Sequence, residues 1–504
     1  MNLSKENLSA IRETELIKPG AALFELPEKV LQFGTGVLLR GLPDYFIDKA
    51  NRRGLFNGRV VVVKSTDSGD AGVFDRQDGL YTLCVRGIED GRKVEENIIC
   101  SSISRVLSAR DQWREILALA RFWEMQIVVS NTTEVGIQLV EDDIRREPPV
   151  SYPGKLLSFL YERYKAFGGS PESGMVIVPT ELIVDNGRKL AGIVKELAKM
   201  NQLEADFYLW LDRHCHFCSS LVDRIVPGKP DATALQQLQH DLGYMDELLA
   251  VCEVYRLWAI EGGEEVRRVL SFGAADEGVI IEPDIEIYRE LKLRLLNGTH
   301  TLSCGLAVLA GFATVKKGMD DTAFAAFVTD LMLKEIAPSI PYRPAVEQAR
   351  DFGLQVLDRF RNPHLQHQWI SITMQYSSKM KSRVIPVLLE HYKHHSEAPV
   401  HIALGFAAFL LFMKAEKKEG WDDKAGYFAD LWTRYPAQDV VKKALGNQVL
   451  WDADLLSLKG FAGAVLEQLD ILINKGALTA LVMMNAKKIL YEHDINRIEG
   501  TSGR

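Results

Sequence analysis

The sequence predicts an α/β fold in its first half and a mostly α-helical second half. The runs RVVVV at 59–63 and MQIVV at 125–129 are apolar without alternation, which is typical of parallel strands buried on both faces. Helical periodicity at 111–123 separates them, and such alternation indicates a doubly wound, mostly parallel sheet. After about residue 275 long amphipathic stretches dominate. We therefore expect one domain at 1–275 and a mostly helical C-terminal domain at 276–504.

The expected elements of the first half alternate along the chain. In order they are a strand at 29–33, a helix after residue 36, a strand at 59–63, a hairpin at 80–101, a helix at 111–123, a strand at 125–129, a helix at 156–166 and a strand at 175–178. The turn sequence Glu89-Asp90-Gly91 indicates the hairpin. The other strands are expected to be joined by right-handed crossovers.

Composition and charge exclude several classes of protein. The 504 residues include 68 acidic and 60 basic side chains, so there is no broad basic face for nucleic acid. The first 20 residues carry charges throughout and so do not resemble the apolar region of a secretory signal peptide. No stretch is long and apolar enough to span a membrane. Six dispersed cysteines do not suggest a disulfide framework. We expect a cytoplasmic protein without nucleic-acid or membrane partners.

A glycine turn follows the first strand. The run at 29–33 stops at Gly34-Thr35-Gly36, and a helical pattern follows. Glycines in this position permit a tight turn and let a pyrophosphate approach backbone N–H groups at a helix N-terminus. The match to G-x-G-x-x-G is partial because Leu39 replaces the third glycine. The turn predicts a Rossmann-type dinucleotide site, with an ordinary structural turn as the alternative.

Two further strand ends supply candidate cofactor ligands. The second strand runs into Lys64 and Ser65 instead of an acid, so the residues alone do not decide between NAD and NADP. Asn131 and Thr132 follow the strand at 125–129, where open α/β sheets gather ligands. These residues are suited to line a nicotinamide, and a helix cap at Thr132 or Thr133 is the alternative.

Two histidines and two cysteines, His214, Cys215, His216 and Cys218, resemble a metal site at first sight. Zinc needs four placed ligands, or three and an open position, and no second pair of such residues completes the set. We expect no metal, and a zinc enzyme is kept as an alternative.

The segment KLRLLNGTH carries the strongest chemical pattern. On an α-helix at about 100° per residue, Asn297 lies about 140° from Lys292, and His300 about 80°. A lysine, an amide and an imidazole would then share one face and point into one cleft. The alternatives are a solvated lysine and a structural histidine.

Several motifs, taken in order, resemble the mannitol dehydrogenase family of polyol-specific long-chain dehydrogenases. Lys292-x4-Asn297-x2-His300 is similar to its catalytic motif, and Gly34-x-Gly36-x3-Arg40 to its cofactor turn, with Leu38 in place of an aromatic residue. The other similar stretches are Asp185-Asn186-Gly187, the block at 217–227 that contains Asp223 and Arg224, and the motif at 359–363 followed by Lys379. The resemblance implies a Rossmann domain, a helical substrate domain and NAD. Within the family, the sequences of these motifs are most similar to those of members that interconvert D-tagaturonate and D-altronate in hexuronate catabolism.

The resemblance also implies roles for individual residues. Lys292 would be the general acid and base, since a lysine in a buried, cation-rich site releases its proton more readily. Asn186 and Asn297 would donate N–H groups to the developing alkoxide. His300, Lys379, Asp223 and Arg224 would bind substrate, and Gly34, Thr35, Gly36, Arg40, Ser65, Asn131 and Thr132 would bind the cofactor.

Two departures bear on the substrate. Arg289 stands where neutral-polyol members often carry a Glu, and Ser371 where they tend to carry an Arg. Both departures change the charge near the substrate pocket. We therefore do not infer a neutral polyol substrate from the resemblance. The alternatives are a fructuronate reductase or mannitol-type polyol dehydrogenase and, from another class, a non-catalytic NADH-binding regulator. A monomer and a small homo-oligomer are both compatible with the sequence.

Overall fold

The structure is a computed structural model, which describes residues 1–12, 16–65, 72–133, 135–414 and 420–486. The chain forms two compact units, Met1–Gly87 with Arg92–Ile285 and Ile88–Gly91 with Glu286–Arg504. The division expected at residue 275 lies just before a strand that pairs within the first unit. No helix in the described ranges is long and apolar enough to cross a membrane.

The described strands form three sheets. In chain order they are β1 Leu16–Ile17, β2 Glu28–Phe33, β3 Arg59–Lys64, β4 Tyr81–Glu89, β5 Arg92–Cys100, β6 Ile103–Ser108, β7 Ile127–Ser130, β8 Val176–Pro179, β9 His216–Phe217, β10 Ser220–Asp223, β11 Ala250–Glu253, β12 Leu257–Glu261 and β13 Val279–Glu282. The largest sheet has the order β6-β3-β2-β7-β8-β9. A four-stranded sheet, β1-β5-β4-β11, and a three-stranded sheet, β10-β12-β13, accompany it.

The six-stranded sheet is parallel at each of its five pairs of neighbouring strands and has the strand order of a Rossmann fold, 3-2-1-4-5-6. The predicted Rossmann-type doubly wound sheet is therefore confirmed. Alternate residues of β3 serve two hydrophobic cores, with Val60 and Val62 in one and Val61 and Val63 in the other. This is why the run lacks polar residues, because neither face of the sheet meets water.

The helices of the described part of the first unit are α1 Val37–Gly41, α2 Pro43–Arg52, α3 Gly72–Arg76, α4 Trp113–Ala118, α5 Tyr152–Phe167, α6 Asn186–Met200, α7 Ala205–His214, α8 Ala232–Leu242 and α9 Glu264–Val269. They include several that pack on this sheet, with α3 and α4 against β6 and α6 against β8 and β9. The sheet's switch point lies where β2 pairs with β3 on one side and with β7 on the other. Beyond the strands, Gly34 N donates to Val63 O at 3.1 Å and Asn131 N donates to Phe33 O at 3.1 Å. The carboxyl ends of β2, β3 and β7 therefore lie next to one another.

The second unit is mostly helical, as predicted. Its helices are α10 Glu286–Leu291, α11 Thr299–Leu309, α12 Val315–Met319, α13 Thr322–Asp330, α14 Val346–Arg361, α15 Trp369–Ile372, α16 Tyr376–Lys379, α17 Ile385–His394, α18 Val400–Phe412, α19 Ala425–Arg434, α20 Ala437–Leu445, α21 Gln448–Trp451 and α22 Phe461–Lys475. Three π-helical turns interrupt them, at Lys292–Gly298, Leu331–Ile336 and Met380–Val384. The apolar helix α18 packs between α11 and α22.

Glycines set the close approach of α11 and α18. A Cβ on Gly405 would lie 2.8 Å from both the carbonyl oxygen and Cδ2 of Leu302. A Cβ on Gly305 would lie 2.8 Å from the Tyr376 hydroxyl, which accepts a hydrogen bond from Gly305 N at 3.1 Å. The helix that begins one residue before His300 is thus held directly against the core of the second unit.

Gly405→Ala is expected to destabilise the protein by about 1–3 kcal/mol, because the added methyl group meets backbone that cannot move aside. We expect the thermal unfolding midpoint to fall by a few degrees, measured by calorimetry. Gly463→Ala is the matched control, since its Cβ in α22 would meet nothing within 4 Å. That variant should be neutral or slightly more stable. Equal midpoints for the two variants would contradict the packing described here.

Candidate functional site

A cavity of about 420 Å³ lies at the switch point of the six-stranded sheet. Six of the predicted cofactor-binding residues line it: Gly34, Thr35, Gly36, Ser65, Asn131 and Thr132. They come from the ends of β2, β3 and β7, which is where ligands bind in open α/β sheets. The structure therefore brings these six residues together around one space.

The two glycines of the turn differ in what they require. Gly34 has φ of +129°, and a Cβ there would lie 2.9 Å from Leu39 Cδ1 and 3.1 Å from Asn131 O, so the turn itself needs glycine. Gly36 has φ of −63° and ψ of 155°, which any residue adopts, and a Cβ there would meet nothing within 4 Å. The protein's own packing does not require glycine at position 36, and a ligand that approaches the backbone closely would explain it. This open space fits the pyrophosphate of a dinucleotide.

Glu181, which the sequence analysis missed, holds the loop after β7. Its carboxylate accepts hydrogen bonds from Thr132 N at 2.8 Å, Thr132 Oγ1 at 2.9 Å and Ser130 Oγ at 3.2 Å. Asn131 Nδ2 donates to Thr180 Oγ1 at 2.9 Å. Thr132 caps no described helix, because the next one begins at Tyr152. The sequence did offer a signal for Glu181, because an acidic residue two positions after β8 lies at the carboxyl edge of the sheet.

Lys155 is the only charged side chain among the described residues that line the cavity. It follows Ser151, whose side chain caps α5 by accepting from Gly154 N at 3.0 Å. The Lys155 ammonium donates to Val150 O at 2.8 Å, and burial lowers its pKa. A cation in this wall is compatible with the negative charge of a pyrophosphate.

Arg40, a predicted cofactor ligand, is not among the described residues that line the cavity, and its role in cofactor binding stays a prediction. Its guanidinium carbon lies 5.6 Å from the ring centroids of both Phe74 and Tyr81. The side chain is buried, and this desolvation lowers its pKa. Tyr81 Oη donates to the Arg40 carbonyl at 2.8 Å. Arg40 therefore supports the turn from within the core of the first unit.

Asn186 is fully buried and its amide is engaged within the first unit. Its Nδ2 donates to Pro179 O and Glu181 O at 3.0 Å and to Ser220 O at 3.2 Å. Its Oδ1 accepts from Gly187 N at 2.9 Å and Ser220 N at 2.8 Å. An amide has two hydrogens, and both are committed. In this arrangement Asn186 joins β8, α6 and β10 and does not present a donor to a substrate.

Arg224 and Asp223 also lie in the framework of the first unit. Arg224 donates from Nε to Glu253 O at 2.9 Å and from Nη1 to Gly41 O at 2.6 Å, and its guanidinium stacks 4.5 Å from the Tyr45 ring centroid. Asp223 is buried at the end of β10, where it pairs in register with Leu257. These contacts give Arg224 a cross-linking role within the first unit, and the substrate contacts of Arg224 and Asp223 stay predictions.

Lys292 and Asn297 lie on a π-helical turn, so the α-helical geometry expected for this segment was wrong. The turn spans Lys292–Gly298, and α11 begins at Thr299. In a π-helix, hydrogen bonds join residues five apart. Lys292 and Asn297 are spaced in this way and are both half-buried. Such turns are rare and frequent at functional sites.

Buried contacts hold this π turn against the one at Met380–Val384. Arg294 pairs with Glu290 at 2.9 Å and donates from Nη1 to Ser382 O at 2.7 Å and Arg383 O at 3.1 Å. Thr301 Oγ1 donates to Asn297 O at 2.7 Å. The contact brings Lys379, immediately before the second turn, into the electrostatic environment of His300. Lys379 and His300 therefore lie in one neighbourhood, and Lys292 and Asn297 lie on the π turn that leads into the helix of His300.

His300 occupies an aromatic box with a free ring nitrogen. Its ring stacks on Phe360 at 4.2 Å between centroids and meets the edges of His367 at 5.2 Å and Trp369 at 5.8 Å. Within the described part of the chain, its Nε2 is buried without a hydrogen-bond partner. Burial and nearby cationic groups, His367 foremost, hold the pKa well below its usual range, so the imidazole is neutral.

The cluster of His214, Cys215, His216 and Cys218 is not arranged as a metal site in the first unit. Burial raises the pKa of Cys215 and of Cys218 to about 12, which keeps both thiols protonated. His216 Nε2 lies 3.4 Å from Glu265. Among the residues that the structure describes, no group of three or more His, Cys, Asp or Glu side chains is arranged to hold a metal ion.

Comparison with known proteins identifies the family. The model of the mannitol dehydrogenase Rossmann domain matches residues 28–270, and that of the mannitol dehydrogenase C-terminal domain matches residues 284–473. An altronate oxidoreductase of Bacillus subtilis is 38% identical over 436 residues, covering 86% of this chain and 90% of its own. One from Halalkalibacterium halodurans is 35% identical over 481 residues, covering 91% and 93%.

Solved structures agree with this fold. Mannitol 2-dehydrogenase of Pseudomonas fluorescens, in a ternary complex with NAD and D-mannitol, aligns with a TM-score of 0.64 at 23% identity over 97% of this chain and 100% of its own. A substrate-free D-sorbitol dehydrogenase aligns with a TM-score of 0.77 at 19% identity over 95% and 100%. Together with the two family matches, this similarity shows that the chain belongs to the mannitol dehydrogenase family and is an oxidoreductase that acts on CH–OH groups.

Proposed function

We propose that the protein reversibly reduces D-tagaturonate to D-altronate with NADH, in hexuronate catabolism and without a metal ion. The observation that carries the proposal is the π turn on which Lys292 and Asn297 lie, which leads directly into the helix that carries the neutral imidazole of His300. Relatives named altronate oxidoreductase, 35–38% identical over most of the chain, support the choice of substrate. A sugar acid also suits the cationic surroundings of His300.

The cavity at the switch point would hold the cofactor. Gly34, Gly36 and Lys155 would hold the pyrophosphate, and Asn131 and Thr132 would line the nicotinamide. When bound, the nicotinamide supplies a hydride to the ketone carbon. Ser65 follows β3 directly and lines this cavity, but it does not decide between NAD(H) and NADP(H), so the preference for NAD(H) rests on the family resemblance.

Lys292 would act as the general acid in reduction and as the general base in oxidation. Hydride addition puts negative charge on the ketone oxygen, so a proton must be supplied to that oxygen. The Lys292 ammonium would deliver it, and the Asn297 amide would donate an N–H to the same oxygen. Both residues lie on the same π turn. Because two N–H donors stabilise the alkoxide, the proposed reaction requires no Lewis acid.

His300 and Asn186 would assist without transferring the proton. The unpartnered Nε2 of His300 is suited to bind a substrate hydroxyl and so orient the sugar. Asn186 would act through Glu181, whose carbonyl oxygen it binds, by fixing the loop that carries Asn131 and Thr132. This replaces the alkoxide contact expected for Asn186. A cytoplasmic location is part of the proposal, and six buried, unpaired cysteines support it.

A substrate panel tests the proposal directly. NADH oxidation should be rapid with D-tagaturonate, slower with D-fructuronate and D-fructose, and unchanged by EDTA. Preference for D-fructose would retain the chemistry and overturn the substrate. Loss of activity in EDTA that is restored by zinc would overturn the metal-free mechanism. Absence of turnover with every ketose, alongside tight NADH binding, would favour a regulator.

Lys292→Met is expected to lower kcat by about 10²- to 10⁴-fold, the usual contribution of a general acid. NADH affinity, measured by fluorescence titration, should stay within roughly twofold because the cofactor lies in the other unit. Lys334→Met is the matched control, since Lys334 is an exposed lysine on another π turn and pairs with Asp330 at 3.1 Å. Near-normal turnover of Lys292→Met would refute its role.

Gly36→Ala is expected to raise the Kd for NADH by about 10-fold or more without changing the unfolding midpoint. The methyl group meets no protein atom, so its cost appears only when the pyrophosphate approaches the turn. Gly192→Ala in α6, also in open space, is the control and should bind NADH normally. Unchanged affinity in Gly36→Ala would show that the cofactor does not contact the turn.

Acid stability should depend on His300. Its pKa is lowered in the folded state, so below its unfolded value of about 6.5 the unfolded chain binds more protons than the folded protein. Stability is therefore lost as pH falls below about 6.5. His300→Gln should show a smaller drop in unfolding midpoint between pH 7 and pH 5 than the wild type. An identical drop in both proteins would indicate a charged imidazole.

A further inference from the structure

Two cations of the second unit, Lys379 and Arg383, lie at the π turn Met380–Val384. Neither has an acidic partner among the described residues. Lys379 Nζ donates only to the carbonyl oxygen of Ile372, at 2.9 Å, and Arg383 Nη1 donates to Thr301 Oγ1 at 3.3 Å. Neither forms an ion pair with a carboxylate of any described residue. Most of their N–H donors are therefore left for another acceptor.

Neighbouring basic residues of the same segments are neutralised. Arg289 pairs with Glu286, Arg294 pairs with Glu290, and Lys381 pairs with Asp452 at 2.8 Å. The contrast with Lys379 and Arg383 is therefore local to these two side chains. Both are half-buried, so their charges are only partly compensated by water.

The position of the two cations connects them to the reaction. Arg383 lies in the π turn that packs against the turn carrying Lys292 and Asn297, and its hydroxyl partner Thr301 donates to the Asn297 carbonyl. Both cations act on His300, the proposed hydroxyl-binding residue. Desolvation and their mutual repulsion lower the pKa of Lys379, and desolvation lowers that of Arg383. An anion bound here would remove this repulsion.

We propose that Arg383, together with Lys379, binds the carboxylate of the substrate and so selects sugar acids over neutral ketoses. A guanidinium presents paired N–H donors that match the two oxygens of a carboxylate, and the ammonium adds a second charge. In D-tagaturonate the carboxylate lies at the end of the chain remote from the ketone. The inference rests on the proposed function and adds Arg383, which the motifs did not indicate, as a specificity-determining residue.

The test compares an acidic and a neutral substrate in the same variant. Arg383→Gln should raise KM for D-tagaturonate by about 10- to 100-fold, as expected for a lost charge-assisted hydrogen bond, with kcat within about threefold. Kinetics with the neutral ketose D-tagatose, measured at high concentration, should not worsen. Arg383→Lys should recover part of the affinity for the acid. Lys381→Gln removes a charge from the same turn and should behave as wild type.

Each alternative outcome has a distinct meaning. Unchanged KM for D-tagaturonate in Arg383→Gln overturns the inference. Equal losses with both ketoses, without recovery in Arg383→Lys, also overturn it because they indicate a structural role. If the wild type turns over D-fructuronate but not D-tagaturonate, the proposed function fails, and the same comparison with D-fructuronate still tests Arg383. A wild type that prefers neutral ketoses overturns both.

Discussion

The buried guanidinium of Arg294 holds together the parts of the second unit on which the proposed chemistry depends. It pairs with Glu290 on the helix before the first π turn and binds two carbonyl oxygens, of Ser382 and Arg383, on the second. A guanidinium presents several N–H donors and can serve several acceptors at once. Lys292 and Asn297 lie on one of these turns and Arg383 on the other. The Arg294 side chain therefore links the turn of the proposed proton donor to the turn of Arg383.

In the first unit, strand pairing and the carboxylate of Glu181 hold the loops around the cavity in place. Parallel pairing of β2 with β3 and β7 continues into the loops, and Glu181 binds the loop after β7 by its side chain. Asn186 in turn binds the Glu181 carbonyl oxygen and the backbone of β10. The open face of Gly36 is what remains accessible once these bonds are made. A rigid loop with an open glycine is suited to bind a dinucleotide without rearrangement.

The sequence predicted the features that depend on local pattern. The doubly wound sheet was predicted from alternating buried runs and helices, and the glycine turn and the loop at Asn131 and Thr132 were predicted from their positions after strands. The π turn was not predicted, because the helical periodicity of the segment gives no sign of the contact between Arg294 and the distant Ser382. The family resemblance implied ligand contacts for Arg40 and Arg224. Their guanidinium groups contact rings and carbonyl oxygens of the core, which no local pattern reveals.

A crystal structure of the ternary complex with NAD and D-altronate would test the central claim most directly. The account predicts the sugar carboxylate within hydrogen-bond distance of Arg383 and Lys379. It also predicts the oxygen of the reactive carbon within that distance of Lys292 Nζ and Asn297 Nδ2. A sugar bound with its carboxylate away from Arg383, or with the reactive oxygen on a metal ion, would contradict the account.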